Sequence, residues 1–164
     1  CRDLLSTGPY VSNIVATSNM PTMLIPAIIF VVAGFLSFSM GTSWGTFGIL
    51  IPIVVGTFAG TDKTMMIISI SACMAGAVCG DHCSPISDTT IMASAGAQCN
   101  HMNHVSTQLP YVVVVAVVSL ITYIIAGFIR NPVISLIIGI ILMVGSILII
   151  KYMVDSKLSG SDKN

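Results

Sequence analysis

The sequence predicts an all-α membrane protein built from a re-entrant helical hairpin, one broken transmembrane helix and two continuous transmembrane helices. Three observations carry that reading. Of 164 residues, 55% are hydrophobic and 7% charged, against about 25% charged in a soluble domain, so the chain cannot present an ordinary water-facing surface. Between Asp3 and Lys151 the only charged residues are Asp62, Lys63, Asp81, Asp88 and Arg130. The apolar runs are also interrupted twice by dense clusters of glycine, hydroxyl and carboxylate residues.

The hairpin comes first. Residues 23–40 are apolar and run into Gly41-Thr42-Ser43-Trp44-Gly45-Thr46-Phe47-Gly48, after which residues 49–58 are apolar again. A continuous span needs about 20 apolar residues for a core of roughly 30 Å, and the second arm falls short. Backbone outside a helix is tolerated at membrane depth only where protein or a water cavity shields it. The pattern therefore predicts a re-entrant hairpin with residues 41–48 as its tip, near the midplane. Trp44 fits that depth least, because tryptophan anchors at interfaces.

The broken helix follows. Residues 64–79 would span about 24 Å as a helix, and residues 91–97 resume the apolar run, so the two halves cross only together. Between them Gly80 is conformationally permissive, and Pro85 lacks an N–H and clashes with a preceding helical turn. The expected break covers residues 80–85. Ser84 would then be the N-cap and Pro85 the first residue of the second half. Residues 98–108 read as a polar loop containing the water-facing His101 and His104.

Residues 110–129 and 133–150 are long enough to cross as continuous helices, separated by the tight turn Arg130-Asn131-Pro132. Residues 1–150 thus form a transmembrane unit, and residues 151–164 a polar, disordered tail. Gly41/Gly45, Gly56/Gly60 and Gly76/Gly80 have the four-residue spacing that lets membrane helices approach closely. Five cysteines, mostly in apolar sequence, fit reduced thiols between helices and not a disulfide framework. Zero net charge without a basic block excludes a nucleic-acid partner.

The chemistry lies in the break. A carboxylate at membrane depth costs about 2.5–3.5 kcal/mol on insertion scales, so it faces a partner, an ion or water. Asp88 in a first helical turn also suits the positive end of the helix dipole. Two carboxylates, a histidine and four hydroxyls between Asp81 and Thr90 exceed what capping requires. Unwound carbonyls and half-helix ends with a carboxylate make cation sites in transporters. Asp88, Ser84, Ser87 and Thr89 offer such oxygens, with Asp81 on the approach, and Thr42, Ser43 and Thr46 on the hairpin tip would complete the shell. A carboxylate that holds a cation when ionised and a proton when neutral exchanges the two by competition. His82 either relays protons, since histidine titrates near neutral pH, or hydrogen-bonds a carbonyl freed by the break. Zinc ligation by Cys79, Asp81, His82 and Cys83 with Cys99, His101 and His104 lacks paired structural spacing. The two groups would also lie about 20 Å apart along the second half-helix.

The stretch Gly80-Asp81-His82-Cys83-Ser84-Pro85-Ile86-Ser87-Asp88-Thr89-Thr90-Ile91 closely resembles the signature of the NhaC family of sodium/proton antiporters. Gly41-Thr42-Ser43-Trp44-Gly45-Thr46 and Gln108-Leu109-Pro110-Tyr111 also look like segments of that family, and the similarity covers residues 3–130. The resemblance implies inverted repeats, each with a re-entrant hairpin and a broken helix, in a protein of the cell membrane that exchanges sodium for protons. It implies no cofactor beyond the transported sodium ion and proton. The chain would be the C-terminal part of a longer transporter, needing the lipid bilayer, the missing N-terminal half and a possible homo-oligomeric partner. Some relatives in that group exchange organic acids such as malate and lactate, which is the alternative activity. A membrane metalloenzyme and an uncoupled channel are further alternatives, revealed by chelator sensitivity and by voltage-driven conductance. Basic residues near the helix ends (Lys63 and Arg130 against Lys151, Lys157 and Lys163) favour a cytoplasmic C-terminus.

Overall fold

A computed structural model describes residues 22–58 and 62–161. After a 3-10 turn at Thr22–Leu24, the helices are α1 Ile25–Met40, α2 Ser43–Phe58, α3 Lys63–Cys83, α4 Asp88–Gly96, α5 His101–Ile129 and α6 Pro132–Ser161, with no strand among the described residues. Three of them are long and apolar enough to cross a membrane: Lys63–Cys83, His101–Ile129 and Pro132–Tyr152. The chain is an all-helical membrane protein.

The centre of the packing is α3. Its first turn is capped by Asp62, whose carboxylate accepts the N–H groups of Thr64 at 2.9 Å and Met65 at 3.4 Å. Its buried stripe follows helical spacing through Met65, Ile68, Ser69, Ala72, Cys73, Gly76, Ala77, Gly80 and Asp81. Against that stripe lies the α1–α2 hairpin. A Cβ on Gly76 would strike the Phe30 carbonyl, and one on Gly80 the Gly34 carbonyl. Both partners advance by four residues together, so α1 and α3 run parallel with backbones in contact, which only glycine permits.

The return arm α2 antiparallels α1. Phe47, Leu50 and Ile51 pack on Ala33, Cys73 and Ala77, while Val54 and Phe58 join Ile25, Met65, Ile68 and Ala126 at the other end. The hairpin closes at Gly41, in the left-handed conformation (φ 67°), whose N–H bonds the Ser37 carbonyl at 2.8 Å. Helix α5 runs back along α3. Tyr123 and Ser71 share a hydrogen bond of 3.0 Å, and Arg130 approaches Asp62 to 3.7 Å. Gly127 accommodates the Met23 carbonyl, a third glycine notch, here for the 3-10 turn before α1. The α5–α6 turn lies where the sequence places it, with Arg130 left-handed (φ 53°) and the Asn131 side chain accepting the Val133 N–H at 3.1 Å.

Four boundaries differ from the expectation. The hairpin turn is Gly41-Thr42 alone, and residues 43–48 are helical, because Thr46 bonds back to the Thr42 carbonyl at 2.9 Å and isolated glycines do not stop a helix. Helix α3 continues through Gly80 to Cys83, so it is long enough to cross by itself and its break lies at its end, not within its length. Gly80 serves close packing, and the helix stops only at Ser84 (φ −80°, ψ 127°), which Pro85 forces out of the helical region. The 98–108 loop shrinks to a reversal at 97–100, because the Asn100 side chain caps α5 by accepting the Met102 and Asn103 N–H groups at 3.0 and 3.3 Å. The backbone past Lys151 carries on as helix to Ser161. Gly60 of the Gly56/Gly60 pair lies outside the described residues.

Candidate functional site

Residues 84–87 separate α3 from α4. Ser84 and Ser87 are both extended and both fully buried. Ser87, and not Ser84, caps the second helix: its Oγ accepts the Thr90 N–H at 3.5 Å and pairs with Thr89 Oγ1 at 2.8 Å. Asp88, not Pro85, is the first residue of α4. The Ser84 Oγ turns inward to the Ile86 N–H at 3.4 Å. Among the described residues the Ile86 carbonyl has no hydrogen-bond donor, and it faces Gly41 at the hairpin turn. The hairpin turn and the break are in contact through Gly41 and Ile86.

Two carboxylates flank the break in opposite settings. Asp81, in the last turn of α3, is 4% exposed, and its Oδ1 has no hydrogen-bond partner among the described residues. The negative end of a helix dipole adds nothing to an anion there, so this carboxylate is uncompensated within the described chain. Asp88 is exposed at the positive end of α4. On the hairpin, Ser43 and Thr46 are buried and Thr42 half-buried. Thr46 spends its proton on Thr42, so it faces any further ligand through lone pairs alone. Trp44 is 82% exposed and stacks edge-on with Phe47.

His82 is exposed and lies at the rim of an apolar groove of about 790 Å³ between α3 and α5 that also includes Val78, Tyr111 and Val115. The hydrogen bond to a freed carbonyl, one of the two roles open to His82, is made instead by His101. Its Nε2–H donates to the Pro85 carbonyl at 2.7 Å. From the sequence, His101 is expected in a solvated loop about 20 Å from the break. In fact α4 has nine residues, about 13 Å of helix, and the reversal after it returns His101 to the break. Ser37 was also missed, and Thr90 was counted in the cluster without a role: both are buried, with hydroxyls lacking a partner among the described residues. Ser37 sits on α1 between the Gly34–Gly80 and Gly41–Ile86 contacts, level with the end of α3. Its position relative to Gly34, one turn away on the packed face, is the sequence signal for it. No three His, Cys, Asp or Glu side chains converge as metal ligands among the described residues.

A sequence model of the Na+/H+ antiporter family matches residues 2–128. The chain belongs to the Na+/H+ antiporter family. It is 52% identical over 124 residues to an uncharacterized Haemophilus influenzae protein, covering 76% of this chain and 24% of that one. It is 34% identical over 108 residues to an arginine/ornithine antiporter, ArcD, of Halobacterium salinarum, covering 63% and 22%. It is 26% identical over 136 residues to a malate-2H(+)/Na(+)-lactate antiporter of Bacillus subtilis, covering 76% and 29%. This antiporter-family chain thus spans under a third of the length of these curated relatives. No solved structure matches it.

Proposed function

We propose that the chain forms part of a longer secondary transporter that exchanges sodium for protons across the cell membrane, with its C-terminus in the cytoplasm. The observation that carries this reading is Asp81: a carboxylate oxygen buried without a donor among the described residues, beside a helix break, in a chain of the antiporter family. Such an oxygen is tolerated when a cation or a proton neutralises it, and alternation between the two is exchange. Asp88 supplies the second carboxylate. Ser84, Ser87 and Thr89 supply neutral oxygens around it, and Thr42, Ser43 and Thr46 line the hairpin side. The exposure of Asp88 and His82 suits faces that the rest of a longer parent would cover.

A second reading, cation-coupled exchange of an organic acid, draws on the name of the Bacillus subtilis relative. An organic anion needs positive countercharge, and Lys63 and Arg130 lie at the opposite end of α3 from the break, while the exposed Lys151 is on α6, which packs chiefly on α5. That distribution favours a bare cation as substrate.

The test uses the full-length parent in everted vesicles with an imposed pH gradient and a fluorescent pH probe. Asp81→Asn keeps shape and removes the carboxylate charge on which cation and proton alternate, and it should abolish sodium-dependent dequenching at normal membrane abundance. Asp88→Asn should change the apparent sodium affinity or its pH dependence. Wild-type exchange in both variants defeats the reading, and a response to malate or lactate without one to sodium selects the second.

A further inference from the structure

We propose that His101 is a positioning residue that holds the Pro85 carbonyl and so fixes the break on which Ser84, Ser87 and Asp88 are mounted. Its consequence for transport rests on the sodium/proton reading above, but the clamp itself does not.

The need for a clamp follows from the backbone. Where α3 stops, its carbonyl chain loses the donors a continuing helix would provide. The Ser84 carbonyl recovers one from the Ser87 N–H at 3.3 Å, and the Ser87 carbonyl one from the Ile91 N–H at 2.9 Å. Neither pattern serves Pro85, and an unpaired carbonyl away from water is costly. His101 Nε2 stands 2.7 Å from that oxygen. A carbonyl only accepts, so Nε2 carries the proton.

The other ring nitrogen anchors the imidazole. Nδ1 lies 3.1 Å from Ser94 Oγ, and that hydroxyl also lies 2.9 Å from the Ile91 carbonyl. Turned toward Ile91, the hydroxyl accepts from a protonated Nδ1. Turned toward the ring, it donates to an unprotonated one. Nε2–H faces Pro85 in both arrangements. Ser94 is 3% exposed, and the reversal beyond it is tied by the Cys99 N–H to the Ser94 carbonyl at 3.1 Å. One side chain thus joins the base of α4, the far end of α4 and the first turn of α5. A displacement at the start of α5 is thereby carried to Ser84, Ser87 and Asp88.

The experiment compares the full-length wild type with His101→Ala, His101→Gln and Ser94→Ala in proteoliposomes, with His104→Ala as a control. Two quantities are read: hydrogen–deuterium exchange of the amides at 84–91, and the half-saturating sodium concentration for proton movement against the maximal rate. His101→Ala should speed exchange at 84–91 about tenfold and raise half-saturating sodium about fivefold, the scale of one lost hydrogen bond. The maximal rate should change by less than about twofold. His101→Gln, whose amide still offers an N–H, should recover both quantities in large part. Ser94→Ala should fall between, and His104→Ala should match the wild type. If His101→Ala does not reach the membrane, His101→Asn, too short to span the gap, takes its place in the comparison with Gln. Unchanged exchange at 84–91 overturns the clamp. Faster exchange with unchanged sodium affinity reduces His101 to a structural staple and overturns its positioning role. A wild type that moves no protons in response to sodium overturns the antiport reading instead, and the exchange data still decide the clamp.

Discussion

Gly41 and Ile86 meet where the hairpin turn reaches the helix break: a Cβ on Gly41 would stand 2.7 Å from the Ile86 carbonyl oxygen and 2.9 Å from the Ile86 side chain. The hairpin and the break are therefore one structural unit, joined at a residue whose φ of 67° also suits glycine. Gly41→Ala should lower stability by about 1 kcal/mol for the left-handed backbone and by about 1–3 kcal/mol more for overpacking. Thermal unfolding of the purified protein measures this. Gly48→Ala, where a Cβ meets nothing within 4 Å, should leave the midpoint in place. Equal behaviour of the two variants would contradict the contact.

The α1–α3 seam should be intolerant of any side chain. Gly80→Ala and Gly76→Ala each drive a methyl into a backbone carbonyl of α1, which no rotamer change relieves. Each should cost about 1–3 kcal/mol and lower the amount of folded protein in the membrane. Gly145→Ala on α6, with open space around it, is the matched control. Full abundance and an unshifted midpoint for Gly80→Ala would show that the helices separate at that level.

Ser37 distinguishes a dry seam from a liganded one. Its hydroxyl is fully buried and has no partner among the described residues, between two glycine contacts and level with the end of α3. If it contributes an oxygen to the ion, Ser37→Ala should raise half-saturating sodium by about tenfold with little change in stability. A variant that is stabilised and transports normally would assign Ser37 to packing alone, since deleting an unsatisfied buried hydroxyl is favourable.

Under the proposed exchange, competition for one carboxylate fixes the sign of the pH effect. Protons and sodium that exclude each other are linked reciprocally, so lowering the pH raises half-saturating sodium, by up to about tenfold per unit while the maximal rate holds. Initial rates across a sodium series at several pH values provide the measurement. A half-saturation that stays constant while only the maximal rate falls would place the proton on a different group from the ion.

What was legible in the sequence was local. The dearth of charge establishes the membrane setting, Arg130-Asn131-Pro132 marks the α5–α6 turn, and Pro85 places a break nearby, because each depends on composition or on one residue's covalent geometry. The boundaries that moved were those where one residue type serves two purposes. Gly80 has the same letter whether it frees the backbone or admits a neighbour, and only Gly34 against it reveals the second use.

Roles at the site divide the same way. That carboxylates and hydroxyls cluster between Asp81 and Thr90 was decided by the sequence itself. Which of them are buried, and that His101 reaches the break in place of His82, was decided by the reversal after α4 and by the parallel seating of α1 on α3. A hydrogen bond between residues sixteen apart, or a hydroxyl trapped between two helices, exists only once packing sets the distance. No property of His101 or Ser37 taken alone contains that distance.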